Sequence, residues 1–134
     1  MRSLCLAVAG SLALLTAQPA QADLASTMIS HVGAKRPAHC PPRLWCACGL
    51  SVYLKRKGMQ PLPSYRARDA ARYGSKASGF KRGNIIVFRN HVGVATGKMC
   101  SGGKVEIVSA NHNNRVGVGC YSVKRVIAVR KAVR

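Results

Sequence analysis

Six cysteines and four histidines are the residues of this 134-residue chain best suited to act as nucleophiles, bases or soft metal ligands. Cys5 falls in an N-terminal apolar stretch, leaving Cys40, Cys46, Cys48, Cys100 and Cys120. In an oxidising compartment such residues are expected to form disulfides, and an odd number leaves one thiol over. Pro41-Pro42 stops any earlier helix, and from about Leu44 the pattern turns helical. Cys46, Leu50, Tyr53 and Leu54 recur at i, i+4, i+7 and i+8 and form one apolar face. Cys46 then lies inward in the first turn, where the macrodipole and unpaired N–H groups favour a thiolate and can hold an oxyanion. Cys48 is two residues on, about 200° around the helix, and points back towards the loop that carries Cys40. Cys40–Cys48 is therefore a candidate bridge, Cys100–Cys120 can tie two later loops, and Cys46 stays free. Placement alone fits equally well with Cys46 paired to a neighbour or packed as a small apolar side chain.

His39, Cys40, Cys46, Cys48 and His91 also offer soft ligands. The Cys46-x-Cys48 gap is tighter than zinc sites use and no second Cys pair at ligand spacing follows, so no metal and no cofactor is expected. His91 opens an apolar run, His91 to Thr96, in which His91, Gly93 and Ala95 share one strand face and Val92 and Val94 the other. That face of small residues leaves room for a substrate or for the cysteine helix. Asn111 and His112 follow the next strand and can lie beside His91 across the hairpin, where either can fix its tautomer. Asn111 is the first choice and His112 the alternative; the ordinary reading of Asn111 to Asn114 is a polar turn.

The elements that must position these groups can be read from period and punctuation. The cysteine helix ends on Lys55, Arg56 and Lys57 with Gly58 as its C-terminal stop. Ser64 is placed to cap a second helix through Tyr73, stopped by Gly74, with Arg66, Arg68 and Arg72 on its solvated side. Ser75 to Gly83 reads as a basic loop. Asn84 to Arg89, His91 to Thr96, Val105 to Ser109, Val116 to Val118 and Val123 to Val129 read as strands, with turns at Ser101-Gly102-Gly103 and Asn113-Asn114. Two helices followed by about five strands predict an α+β domain with a largely antiparallel sheet. Arg2, the apolar run Leu4 to Thr16 and Ala20-Gln21-Ala22 have the form of a cleaved signal peptide, residues 1–22. Residues 23–42 are then an N-terminal extension or loop and residues 43–134 the domain, exported to the periplasm or beyond the cell. The apolar run is too short to span a bilayer and no later one is apolar enough.

Charge narrows the function classes. The chain carries 22 Lys and Arg against three acids, a formal charge of +19; loss of Arg2 with the leader makes it +18. Such a field gathers polyanions and says little about fold. A facing carboxylate pair for glycoside hydrolysis or an oxygen cage for calcium is excluded in practice, since only Asp69 and Glu106 lie away from the new terminus at Asp23. Trp45, Phe80, Phe88 and the four Tyr are not interleaved with the basic residues as on a single-strand binding surface, so no specific nucleic acid is expected.

With these residues placed, the chain resembles the papain-like bacterial cell-wall hydrolases, the NlpC-type peptidases and CHAP amidohydrolases, and among them small domains with a Trp-Cys-Ala helix start. The matching pieces are Leu44-Trp45-Cys46-Ala47, Gly83-Asn84-Ile85-Ile86-Val87-Phe88, His91-Val92-Gly93-Val94 and Ser109-Ala110-Asn111-His112, in the family's order, within about Arg43 to Arg130. The resemblance implies a papain-like core, Cys46 as nucleophile, His91 as base and Asn111, or else His112, as the orienting residue. It implies a monomeric cysteine peptidase or amidase acting on peptidoglycan or another anionic envelope polymer. The sequence departs from the family at Asn84, where Asp is usual, and at Gly49, where a large apolar residue is usual. An inactive wall- or polyanion-binding module of the same fold and a secreted toxin amidase are the rival expectations.

Overall fold

The computed structural model describes residue 10 and residues 20–134. The segment read as a leader falls mostly outside the described residues; of it only residue 10 and Ala20–Ala22 enter, the last three in the first turn of a helix. That helix, α1, spans Ala20–Ser30, and α2 spans Cys46–Arg56. A short 3-10 helix, Ala67–Arg72, precedes the strands β1 (Ser75–Lys76), β2 (Ile85–Phe88), β3 (Val92–Cys100), β4 (Lys104–His112), β5 (Arg115–Ser122) and β6 (Val126–Lys131). A second 3-10 turn, Val123–Arg125, joins the last two. The strands form one open sheet in the order β1-β6-β2-β3-β4-β5, every pairing antiparallel. The α+β class with an antiparallel sheet is therefore correct, with six strands in place of five.

Local chemistry explains each turn. Asn113 (φ 52°) and Asn114 (φ 65°) form the two-residue link between β4 and β5, and consecutive left-handed residues are what such a tight hairpin needs. Gly102 and Gly103, both left-handed, turn β3 into β4. At the end of α2 the Gly58 N–H donates to Lys55 O and the Met59 N–H to Leu54 O, with Gly58 at φ 69°, a Schellman stop.

The sheet has two differently dressed faces. Val92 and Val94 of β3, Ile85 and Val87 of β2, and Val108 and Ala110 of β4 pack with α1 and α2, burying Leu24, Met28, Trp45, Leu50 and Leu54 completely. Ile86, Phe88, Ala95, Val105 and Ile107 form a smaller cluster of their own. This alternation is the period-2 signal read from the sequence, and it puts Val92 and Val94 apart from Gly93 and Ala95 as expected.

Three assignments need correction. The helix expected from Ser64 to Tyr73 is six residues of 3-10 helix. Its buried residues Ala67 and Ala70 are three apart, the period at which 3-10 side chains align. Ser64 accepts the Arg66 N–H (3.0 Å) and donates to Asp69 Oδ2 (2.7 Å), ahead of the helix proper. Within the segment read as a basic loop, Ser75 and Lys76 pair with Lys131 and Arg130 as an edge strand; both are exposed, so no apolar alternation marks it. Residues 23–42, read as an extension or loop, carry most of α1, whose Leu24, Ala25 and Met28 are fully buried. The chain after α1 is pinned to β5 by Gly33 N–H to Val116 O and Val116 N–H to Ala34 O.

The two disulfides are Cys40–Cys48 and Cys100–Cys120, with Cα separations of 5.7 and 6.2 Å. Cys100 and Cys120 lie in β3 and β5 rather than in loops. Two bridges fit maturation in an oxidising compartment. No helix among the described residues is long and apolar enough to cross a membrane.

Candidate active site

Among the described residues Cys46 is the one free cysteine. It is the first residue of α2, after Trp45, whose side chain supplies no cap to the helix. The incoming loop is anchored otherwise. Cys40–Cys48 ties it to the helix, and the buried Trp45 indole donates to Asn114 Oδ1 across the fold (3.2 Å). Leu44 lies between that loop and Trp45 at φ 54°, a left-handed conformation unusual for a bulky residue, and its side chain is 71% exposed. Strain of this kind, held beside a reactive group, is characteristic of functional sites.

The thiol is only 3% exposed. Burial raises its pKa above the ordinary value, while backbone groups of Val92, Ala47 and Cys46 itself hydrogen-bond towards it and pull the other way. Burial wins, and Cys46 rests as a neutral thiol at neutral pH. The contact with Val92 places it over the start of β3, one residue beyond His91.

His91 closes the β2–β3 turn, where its carbonyl accepts the Phe88 N–H (2.8 Å). Its ring stacks on Tyr121 with centroids 5.0 Å apart and planes inclined by 11°. Burial first, and then the charge of His112, push its pKa down to about 4. His91 is therefore a neutral imidazole at pH 7, able to accept a proton, and its Nε2 is buried with no hydrogen-bond partner among the described residues. Tyr121 links the two sides of this corner. Burial raises its phenol pKa, Ser109 offsets part of that rise, and Cys46 adds to it, so the thiol lies within electrostatic reach of the ring that carries His91. Ser109 Oγ, although beside the phenol, has no hydrogen bond of good geometry.

Cys46 meets the backbone of Val92, next in sequence to His91, and among the described residues no hydrogen bond joins the thiol to the imidazole. The thiol opens on a cavity of about 260 Å³ together with Arg89 and Asn90, whereas His91 lines a smaller one of about 70 Å³ with Phe88, Asn90 and Tyr121. Asn90 borders both. The helix packs against the Val92 and Val94 side of β3, so the expected room for it on the Gly93 side is filled instead. A Cβ at Gly93 would collide with Ile107 and with the Val108 carbonyl.

Neither sequence choice for the orienting residue hydrogen-bonds His91. Asn111 Oδ1 accepts the Asn114 N–H (3.1 Å), as the polar-turn reading required. His112 Nδ1 is bonded to the Tyr121 hydroxyl (2.8 Å) and thereby touches His91 through that ring. The strand beneath is built to admit it: a Cβ at Gly117 would come within 3.0 Å of the His112 ring, and one at Gly119 within 2.6 Å. Tyr121 was not singled out from the sequence. Its signal was Gly117-x-Gly119-x-Tyr121, two bare positions and an aromatic on one face of a strand facing the predicted site.

The zinc-type ligands are not assembled as a set. His39, Cys40 and Cys48 are close together, but the two sulfurs are joined to each other in the disulfide. Asp69 and Glu106 are committed to local bonds, Asp69 to Ser64 and Arg72 and Glu106 to Thr96 Oγ1 (2.7 Å). No family model and no curated protein sequence matches this chain.

Proposed function

We propose that this chain is an exported cysteine hydrolase of papain-like type that cleaves an amide or peptide bond in peptidoglycan. The observation that carries the reading is an unpaired thiol at the start of a helix, set against the backbone of Val92 at the start of β3, with a half-buried, neutral histidine immediately before that strand. Thiol and imidazole both rest uncharged, so the nucleophile is formed during reaction. His91 takes the Cys46 proton as the thiolate attacks the carbonyl carbon. The Cys46 and Ala47 N–H groups at the unsatisfied helix start stabilise the oxyanion. His91 then protonates the leaving amine, and water hydrolyses the thioester. Tyr121 and His112 hold the imidazole plane, and Asn111 keeps the hairpin in place through Asn114. The mechanism requires thiol and imidazole to meet at Asn90, which borders both cavities, since catalytic hydrogen bonds are often long in ligand-free sites. The strong positive charge concentrates the enzyme on the anionic wall.

The test is mass spectrometry of purified peptidoglycan incubated with the wild-type protein and with Cys46→Ala. New fragments with the wild type alone are expected, and their mass identifies the bond. Equal cleavage by both proteins removes Cys46 from the mechanism. No cleavage by either, with salt-sensitive sedimentation on the wall, replaces the hydrolase with the binding module.

A further inference from the structure

We infer that the cavity over Cys46 is an anion-selecting subsite that takes a carboxylate-bearing peptide, held by Arg66, Arg68 and Arg89; the inference rests on Cys46 being the nucleophile. Eight of the described residues line this cavity of about 260 Å³, and three of them are arginines. They come from two separate segments, Arg66 and Arg68 from the chain at the 3-10 helix and Arg89 from the β2–β3 turn. Buried Ala67 anchors the first pair between them.

Among the described residues no acid lines the cavity. The carboxylate nearest in sequence, Asp69, is hydrogen-bonded by Ser64 Oγ and paired with Arg72 (3.5 Å), and it feels Arg66 and Arg68 through space without an ion pair to either. Among the described residues Arg66, Arg68 and Arg89 make no side-chain hydrogen bond or ion pair, so their donors are available to a ligand. A guanidinium presents a planar fork that matches a carboxylate with two parallel bonds. The rest of the lining argues for a peptide over a small inorganic anion. Tyr65 and Leu44 are 52% and 71% exposed and offer apolar surface between the charges. An aliphatic side chain uses that surface, whereas a phosphate would not.

The experiment compares the native protein's reaction with two aromatic disulfides, anionic dithiobis(nitrobenzoate) and neutral dithiodipyridine, followed by the mass of the Cys46 peptide. In each case the thiolate displaces one half of the reagent as a thiolate and keeps the other half in a mixed disulfide. The anionic-to-neutral rate ratio at Cys46 is expected to exceed that of glutathione. Arg66→Gln, Arg68→Gln and Arg89→Gln should each lower it by roughly 2- to 5-fold, the range of exposed charge pairs. Lys98→Gln/Lys104→Gln, which removes more charge from the far β3–β4 hairpin, should leave it unchanged. A short peptide ending in a free carboxylate should protect the thiol better than its amidated form. A ratio equal to that of glutathione, an equal fall in the lysine variant, equal protection by both peptides, or no modification of Cys46 by either reagent overturns the inference. None of these readouts requires turnover. An intact wall beside a selective thiol would remove the hydrolase and leave the subsite standing.

Discussion

At the scale of single residues, His91 makes a pH-dependent contribution to stability with a defined sign. Its pKa is about 4 in the folded chain against 6.5 when unperturbed, so between these values the unfolded chain binds more protons. Stability is complete above pH ~6.5, falls as pH drops towards 4 and changes no further below it on this residue's account, a loss of at most about 3 kcal/mol. Urea unfolding at pH 7 and pH 5 should show about 2 kcal/mol of this loss in the wild type and a smaller difference in His91→Gln. His112→Asn removes the charge that assists burial and should raise the His91 pKa, narrowing the window from below. Cys46 moves in the opposite direction, so its alkylation rate should go on rising with pH beyond the ordinary thiol range of about 8.5. Tyr121→Phe keeps the stack on His91 and loses only the bond to His112, whereas Tyr121→Ala loses both. If Tyr121 positions the base, the phenylalanine variant should retain most of the wall-cleaving activity and shift its acid limb, while the alanine variant loses most of it.

The legibility of the site follows the same scale. Cys46 as the free thiol was readable because helix angle sorts three nearby cysteines into one inward and two bridging positions. The partner of His91 was not, because it depends on which side chain a hairpin bulge swings over β5. The pairing slips between Ser109 and His112, and residue counting carries no record of such a slip.

At the scale of elements, Asn84 and Gly49, the two positions that depart from the hydrolases the sequence resembles, are each accounted for by their packing. Asn84 is buried and donates from Nδ2 to Gly79 O (3.1 Å), a bond that a carboxylate cannot make. Gly49 lies where α2 meets β4. A Cβ there would stand 2.5 Å from the Ala110 Cβ and 3.1 Å from the Trp45 ring. Gly49→Ala gains about 1 kcal/mol of helix propensity. Against that gain, the helix must move off β4 or Trp45 must leave its pocket, and overpacking of this kind costs about 1–3 kcal/mol. The expected outcome in thermal unfolding is net destabilisation, together with loss of Cys46 protection from alkylation, since Trp45 immediately precedes it. A stabilised Gly49→Ala protein would show that the helix has freedom to shift. The strong apolar alternation of β2, β3 and β4 made those elements readable, and Gly58 and the Asn113-Asn114 turn marked their ends. Residues 67–72 and 75–76 were misread because a 3-10 turn differs from a helix by one residue of spacing, and an exposed edge strand has no apolar period at all.

The whole molecule combines a modest core with a very lopsided charge, and the bridges sit where the two meet. Cys40–Cys48 fixes the loop that carries Arg43 and Leu44 to the cysteine helix, and Cys100–Cys120 fastens β3 to β5 at the opposite end of β3 from Val92, outside the lining of the Cys46 cavity. Each closes a short loop, of sequence separation 8 and 20, so each is expected to contribute about 2–3 kcal/mol by restricting the unfolded chain. Their functional consequences should differ. Replacing Cys100 and Cys120 by Ser should lower the unfolding temperature and leave the reactivity of Cys46 and its preference for anionic reagents intact. Replacing Cys40 and Cys48 by Ser should lower stability by a similar amount and also free Leu44 from its left-handed conformation, so that the mouth of the cavity widens. The charge preference at Cys46 should then weaken at temperatures well below unfolding, because Arg66 and Arg68 no longer face a fixed wall across the cleft. Parallel calorimetry and thiol kinetics separate the two cases. Equal loss of selectivity in both double variants would mean that the bridges serve only the stability of the whole chain, and that the cleft owes its shape to the core beneath it.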